Sequence, residues 1–150
     1  MPHIHEQFDF TIGVYIVFNR KVLLVNHPRY GHWIPIGGHI ELNEDPDQAL
    51  LREIQEEAGL QVEILTTKPA FISPGTKALL TPNYVDVHEA NPPHHHINLT
   101  YFGRATNDTA VLSDEHMALR WFTLVDLADN QFNLSPAVQF YSREAIAAAS

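Results

Sequence analysis

Residues 38–60, GHIELNEDPDQALLREIQEEAGL, constrain this chain more than any other stretch. Seven acidic side chains (Glu41, Glu44, Asp45, Asp47, Glu53, Glu56 and Glu57) surround a single base, Arg52. Asp45 suits a helix N-cap, Pro46 the first helical position and Gly59 the C-terminal cap, so the residues between read as one short helix. At about 100° per residue, with Leu50 as origin, Ile54 falls at about 40°, Ala58 at about 80° and Leu51 at about 100°. These residues form the expected core-facing stripe. Glu57 falls at about -20°, Glu53 at about -60° and Glu56 at about -120°, on one arc along the edge of that stripe. Such carboxylates repel one another at i,i+3 and i,i+4 spacing. Half-buried, they require either raised pKa values or a cation among them. An oxygen-only cluster suits Mg²⁺ or Mn²⁺. Arg52, at about -160°, is placed to pair with Glu56 or to reach back to Glu44. The plain alternative is a solvated acidic face. Gly37 and Gly38 weigh against it, because they permit a tight turn, close backbone approach and a carbonyl in a metal's shell.

The remaining composition narrows the function classes. A chain of 150 residues, 45% hydrophobic and 18% charged, reads as one domain over residues 1–150. A net charge of -9 argues against a nucleic acid polymer as partner, since backbone binding needs basic surface. It permits a small nucleotide whose phosphates a cation bridges. The absence of cysteine excludes disulfides and thiolate chemistry. MPHIHEQFDF lacks the features of a signal peptide, and no apolar run is long enough to cross a membrane, so a cytoplasmic protein is expected.

Along the chain, Phe10–Phe18 and Val22–Asn26 read as a hairpin, and His27–Gly38, rich in Gly and Pro, as mostly loop. Leu60–Thr66 reads as a strand, Ser73–Pro93 as a Pro-broken segment with a short strand near NYVDVHE, and His96–Ala105 as a strand. Leu119–Leu127 reads as a strand running into a turn, and Ser135 caps a closing helix. The order β-β-α-β-β-β-α predicts an α/β architecture, a mixed sheet covered by helices.

The residues Gly38, Glu44, Arg52, Glu53, Ile54, Glu56, Glu57, Gly59 and Leu60 occupy every fixed position of a known signature. The pattern is Gly, five residues, Glu, seven residues, Arg-Glu, an aliphatic, any residue, Glu-Glu, any residue, Gly and an aliphatic. The stretch resembles the Nudix box of the Nudix hydrolases. That resemblance implies an α/β/α sandwich and Mg²⁺- or Mn²⁺-dependent hydrolysis of a nucleoside diphosphate linked to another moiety. It implies that Glu53, Glu56 and Glu57 ligate metal, that a carbonyl of Gly37 or Gly38 completes a shell, and that Glu44 pairs with Arg52. It also admits a homodimer. A residue is inserted between Pro35 and the glycine pair, and Asn43 stands where glycine is frequent; both imply loop adjustments only. Glu53 is the first candidate general base, and Glu115, ranked above Asp114, is the second, from a loop upstream of Trp121-Phe122. The alternative is a Nudix-fold module that binds a nucleotide without turnover.

Other residues carry weaker signals. FISPGT, around Pro74, resembles a segment of ADP-ribose hydrolases but also reads as an ordinary Pro-Gly turn. His94 and His96 share one strand face and could ligate metal or touch phosphate. With no cysteine and no third ligand at a suitable spacing, they read as polar strand residues rather than a zinc site. His39 stands beside the glycines, Trp33 reads as a core or base-stacking ring, and Tyr101 and Phe102 are expected on opposite faces.

Overall fold

The computed structural model describes residues 6–28, 31–116 and 118–150. The long strand β1 (Phe8–Phe18) organises the sheet, as its run of β-branched and aromatic residues predicts. On one edge it pairs in parallel with β7 (His94–Ala105) from Phe8 to Val17. Its other edge is shared. The first half pairs antiparallel with β4 (Ile36–His39) and the end with β2 (Lys21–Asn26). The edge of β7 is divided likewise between β6 (Tyr84–Asn91) and β5 (Val62–Ile64). β3 (Trp33–Ile34) and β8 (Ala118–Phe122) flank β2, which completes a mixed eight-stranded sheet.

Helix α1 (Pro46–Glu57) covers one face and α3 (Pro136–Ala148) the other. The first core layer joins Ile12, Val14, Ile16 and Tyr101 to Leu50 and Ile54 of α1. The second joins Tyr15, Val17 and Phe102 to Val138 and Ile146 of α3. Tyr101 and Phe102 therefore do face opposite layers, as strand alternation requires. The result is an α/β sandwich with a mixed sheet between helices.

Local chemistry sets the helix ends. Asp45 accepts from the Gln48 amide at 3.0 Å while the Gln48 side chain accepts from the Asp45 amide at 2.9 Å, a reciprocal capping box. Ala58 caps the C-terminus, and Gly59 follows at φ +64°, the left-handed conformation that glycine adopts without strain. Ser135 accepts from the Val138 amide at 3.2 Å.

Three expectations need correction. The segment His27–Gly38 is only half loop among its described residues: Trp33–Ile34 and Ile36–His39 are strands, recruited by β2 and β1 despite their Gly and Pro content (residues 29 and 30 lie outside the described residues). Gly37 and Gly38 accordingly sit within a strand rather than a tight turn. The turn into which the strand of Leu119–Leu127 runs is helical: β8 ends at Phe122 and gives way to α2 (Leu124–Leu127), capped by Thr123 and Asp126. Trp33 packs edge-on against Phe122 at 5.1 Å between ring centres, in the second core layer.

Candidate active site

The buried face of α1 is formed by Asp47, Ala49, Leu50, Glu53, Ile54 and Glu57. On the helical wheel it runs from about -100° to about 60°, so Glu57 lies near its centre rather than at its edge. Leu51, expected to face the core, is 64% exposed. The face is rotated toward the carboxylates because β4, held against β1, lies over them. A Cβ on Gly37 would strike the Ile12 carbonyl, and one on Gly38 would fall on the Glu53 carboxylate. Gly37 is needed for the backbone approach to β1, and any side chain at Gly38 would displace the Glu53 carboxylate.

Glu53 and Glu57 are 6% and 2% exposed, whereas Glu56 is open to solvent. Arg52 braces the outer part of the cluster. Its Nε and Nη2 donate to both oxygens of Glu44 at 3.0 and 2.6 Å, and Nη1 donates to Glu53 Oε1 at 2.9 Å and Glu56 Oε2 at 3.2 Å. Nη2 also donates to the His39 carbonyl at 3.0 Å. Both pairings expected of Arg52 are therefore present at once. The Arg52 hydrogen bonds hold the Glu44 carboxyl below its ordinary range, against a smaller opposing effect of burial. Glu44 Oε1 also accepts from the Glu41 amide at 2.9 Å, which ties the box loop to the helix.

Among the described residues, no Lys or Arg pairs with Glu57. Burial first, then a hydrogen bond and repulsion from Glu53, then the charge of Glu115, push its pKa up to about 10, opposed by a backbone hydrogen bond from Gly37. His116 Nε2 lies 3.0 Å from Glu57 Oε2, yet is not aligned to donate, and among the described residues that buried oxygen has no donor. The His116 ring is itself buried, and burial together with the nearby His27 lowers its pKa, so it stays neutral near pH 7. His116 escaped the sequence reading; its one signal is its place beside Glu115.

The loop bearing Glu115 is fastened to the end of α1 by the Val111 amide, which donates to the Ala58 carbonyl at 3.1 Å. Glu115 is exposed but within electrostatic reach of Glu57; Asp114 is exposed as well. A second loop closes over the start of α1, where Lys77 pairs with Asp45 at 2.7 Å and the Leu80 amide donates to Asp47 at 3.2 Å. In it, Ser73–Thr76 forms a turn with Gly75 at φ +78°.

This donor set fits a hard divalent cation. Two adjacent buried carboxylates, one with an orphaned oxygen, offer oxygen ligands and an uncompensated charge. The Glu53 carboxylate occupies the space that a side chain on Gly38 would fill.

The NUDIX domain family model matches residues 8–143. A NUDIX-family hydrolase of Clostridium perfringens, known from its crystal structure, shares the fold with a TM-score of 0.80 and 33% identity, over 93% of this chain and 96% of that one. An m7GpppN-mRNA hydrolase of Xenopus laevis is 34% identical over 107 residues, 65% of this chain and 33% of the relative. An asymmetrical bis(5'-nucleosyl)-tetraphosphatase of Sus scrofa is 36% identical over 96 residues, 62% of this chain and 56% of the relative. The chain thus spans between a third and just over half of the length of these curated relatives. Because the family match runs from β1 into α3 and encloses the whole acidic cluster, the chain belongs to the Nudix family.

Proposed function

We propose that this domain, residues 1–150, is a metal-dependent hydrolase of phosphoanhydride bonds, acting on a nucleoside diphosphate linked to a second moiety. The observation that carries the reading is the buried Glu53–Glu57 pair, in which, among the described residues, Glu57 has no Lys or Arg partner and one oxygen without a donor. Glu53, Glu56 and Glu57, with a carbonyl of Gly37 or Gly38, would hold Mg²⁺ or Mn²⁺. When bound, the ion supplies positive charge against the diphosphate and acidifies water.

The chain's own residues then have separable tasks. Arg52 fixes Glu53 through Oε1 and Glu56 through Oε2, so that both carboxylates keep their aim without rotamer freedom. Glu44 holds Arg52 in register and carries the box loop with it. Glu53 is the first candidate to take the proton of the attacking water while the bond from phosphorus to the bridging oxygen breaks and two phosphate products leave. Glu115, on a loop anchored to the end of α1, is the second candidate.

The relatives' names, an mRNA cap hydrolase and a dinucleoside tetraphosphatase, share a nucleoside polyphosphate and differ in the attached group. They support the bond class and leave the group open. A small nucleotide-type substrate, a cytoplasmic location and a homodimer belong to the same proposal. The test is a Mg²⁺ and Mn²⁺ titration of hydrolysis over ADP-ribose, nucleotide sugars, nucleoside triphosphates and diadenosine polyphosphates. Turnover of one class with metal, and none without it, is expected. Tight nucleotide binding with no turnover under any metal would replace hydrolysis by sensing.

A further inference from the structure

Strand β4 presents different chemistry to the two faces of the sheet. Gly38 faces Glu53, and the next residue, His39, points to the opposite face, as strand alternation dictates. There it meets histidines from a distant part of the chain. Pairing of β1 with β7 sets Asp9 opposite His96, and His94 shares the face of His96 two residues earlier. His94 Nε2 lies 2.6 Å from Asp9 Oδ2, and His39 Nε2 lies 3.4 Å from the same oxygen. The His96 ring is 5.0 Å from that of His39 and 5.6 Å from that of His94, centre to centre. One ligand atom from each of Asp9, His94 and His96 lies within 4.8 Å of the others, and all three residues are half-buried. On sequence spacing alone a zinc site had no third ligand; the parallel pairing of β1 with β7 supplies Asp9.

We infer that Asp9, His94 and His96, with His39 as a fourth ligand, bind one divalent transition ion of the zinc class. Two or three imidazoles and one carboxylate form the donor set of such ions, whereas Mg²⁺ prefers oxygen alone. A tetrahedral ion with bonds of about 2.0–2.1 Å needs ligand atoms about 3.3 Å apart, so small side-chain rotations close the site. The protonation states are those of ligands. His96 is kept neutral by burial and by the surrounding imidazoles. Asp9 is kept ionised: burial opposes this, but the His94 hydrogen bond and the neighbouring histidines prevail. His88, opposite His96 in register, has its ring 5.5 Å from that of His96 and its Nδ1 paired with Asp86 at 2.9 Å, and Asp86 accepts from the Tyr141 hydroxyl at 2.6 Å. An ion here would tie β4, β1 and β7 together, including the His39 carbonyl that receives Arg52.

The test is a Co²⁺ titration of untagged, EDTA-stripped protein, followed by visible absorption, with excess Mg²⁺ present to occupy the acidic cluster. One equivalent of Co²⁺ with the strong bands of a four-coordinate site, displaced by one equivalent of Zn²⁺, is expected. The double variant His94→Gln/His96→Gln loses the bands and binds Zn²⁺ more than roughly 100-fold weaker, beyond the usual loss for an outer partner. Glu53→Gln/Glu57→Gln keeps both. If the double histidine variant unfolds in EDTA, Asp9→Asn carries the same expectation. Undiminished Zn²⁺ binding without the histidines, loss of binding in the carboxylate variant, or no bound ion in the wild type overturns the inference. None of these readouts depends on hydrolysis.

Discussion

Replacing Glu57 by Gln has opposite consequences with and without metal, and both can be estimated from the site. The Glu57 side chain is 3% exposed, and its pKa rises from an ordinary 4.5 to about 10. The stability contributed by a raised acid is fully present below the unfolded value and is lost as pH climbs toward the folded value. From pH 4.5 upward the metal-free protein should therefore lose about 1.36 kcal/mol per pH unit on account of this one group. By pH 7 that amounts to about 3 kcal/mol, an upper estimate. Gln retains the shape and a donor toward Glu53 but carries no proton to lose. In EDTA at pH 7 the variant should melt roughly 6–12 °C above the wild type, and the difference should vanish near pH 4.5. Added Mg²⁺ should reverse the order, because it stabilises the wild type by mass action and finds a depleted site in the variant. Turnover should fall by at least roughly two orders of magnitude. The assay is thermal unfolding from pH 4.5 to pH 8 with EDTA or Mg²⁺. A variant that melts lower in EDTA, or a difference independent of pH, would refute the account of Glu57 as an uncompensated buried acid.

Arg52→Ala removes hydrogen bonds to three carboxylates and the His39 carbonyl, and should cost about 2–4 kcal/mol by denaturant unfolding at pH 7. Glu44 is depressed by that contact, so its share is present above the unfolded carboxylate range and the cost should shrink below about pH 4; Arg52→Lys should recover only part of it. Gly38→Ala sets a methyl on the Glu53 carboxylate without backbone strain, and should lower turnover at least about tenfold while shifting Tm by less than about 4 °C. Wild-type turnover in that variant would remove Glu53 from the site. Glu53→Gln should cost roughly 100-fold or more in turnover and Glu115→Gln less than about tenfold; the reverse order would move the general base to the loop.

What was legible in the sequence was local. The α1 N-cap and the placing of Glu53 and Glu57 on one side of the helix follow from residues within one or two turns of each other, although the C-cap is Ala58 rather than Gly59 and Glu56 lies in solvent. What was not legible depended on pairing across the chain. β4 looks like loop because glycine and proline dominate its surroundings, and only contact with β1 makes it a strand. The same contact rotates the buried face of α1, which exposes Leu51 and centres Glu57. His116 reaches Glu57 across 59 residues of chain through a loop docked on Ala58. Asp9 meets His94 across 85 residues through a parallel pairing. No spacing rule reaches that far.

The crowded charge of residues 38–60 is therefore not one problem but two. Lys77 compensates Asp45, the Leu80 amide and the more distant Lys68 compensate Asp47, and Arg52 compensates Glu44, Glu56 and one oxygen of Glu53. Each of these acids already has a partner for at least one oxygen. The deficit is concentrated on Glu57. Its ionisable neighbour His116 is held neutral by its own burial and by His27, and so gives no permanent positive charge. A fixed base at that point would stabilise the empty fold and compete with a cation. A neutral imidazole leaves the choice between a proton and a divalent ion, and the ion prevails as its concentration rises because it can engage Glu53 and Glu57 together. Fold stability and ion occupancy are thereby coupled through a single carboxylate, while the braced acids around it keep the geometry constant in both states.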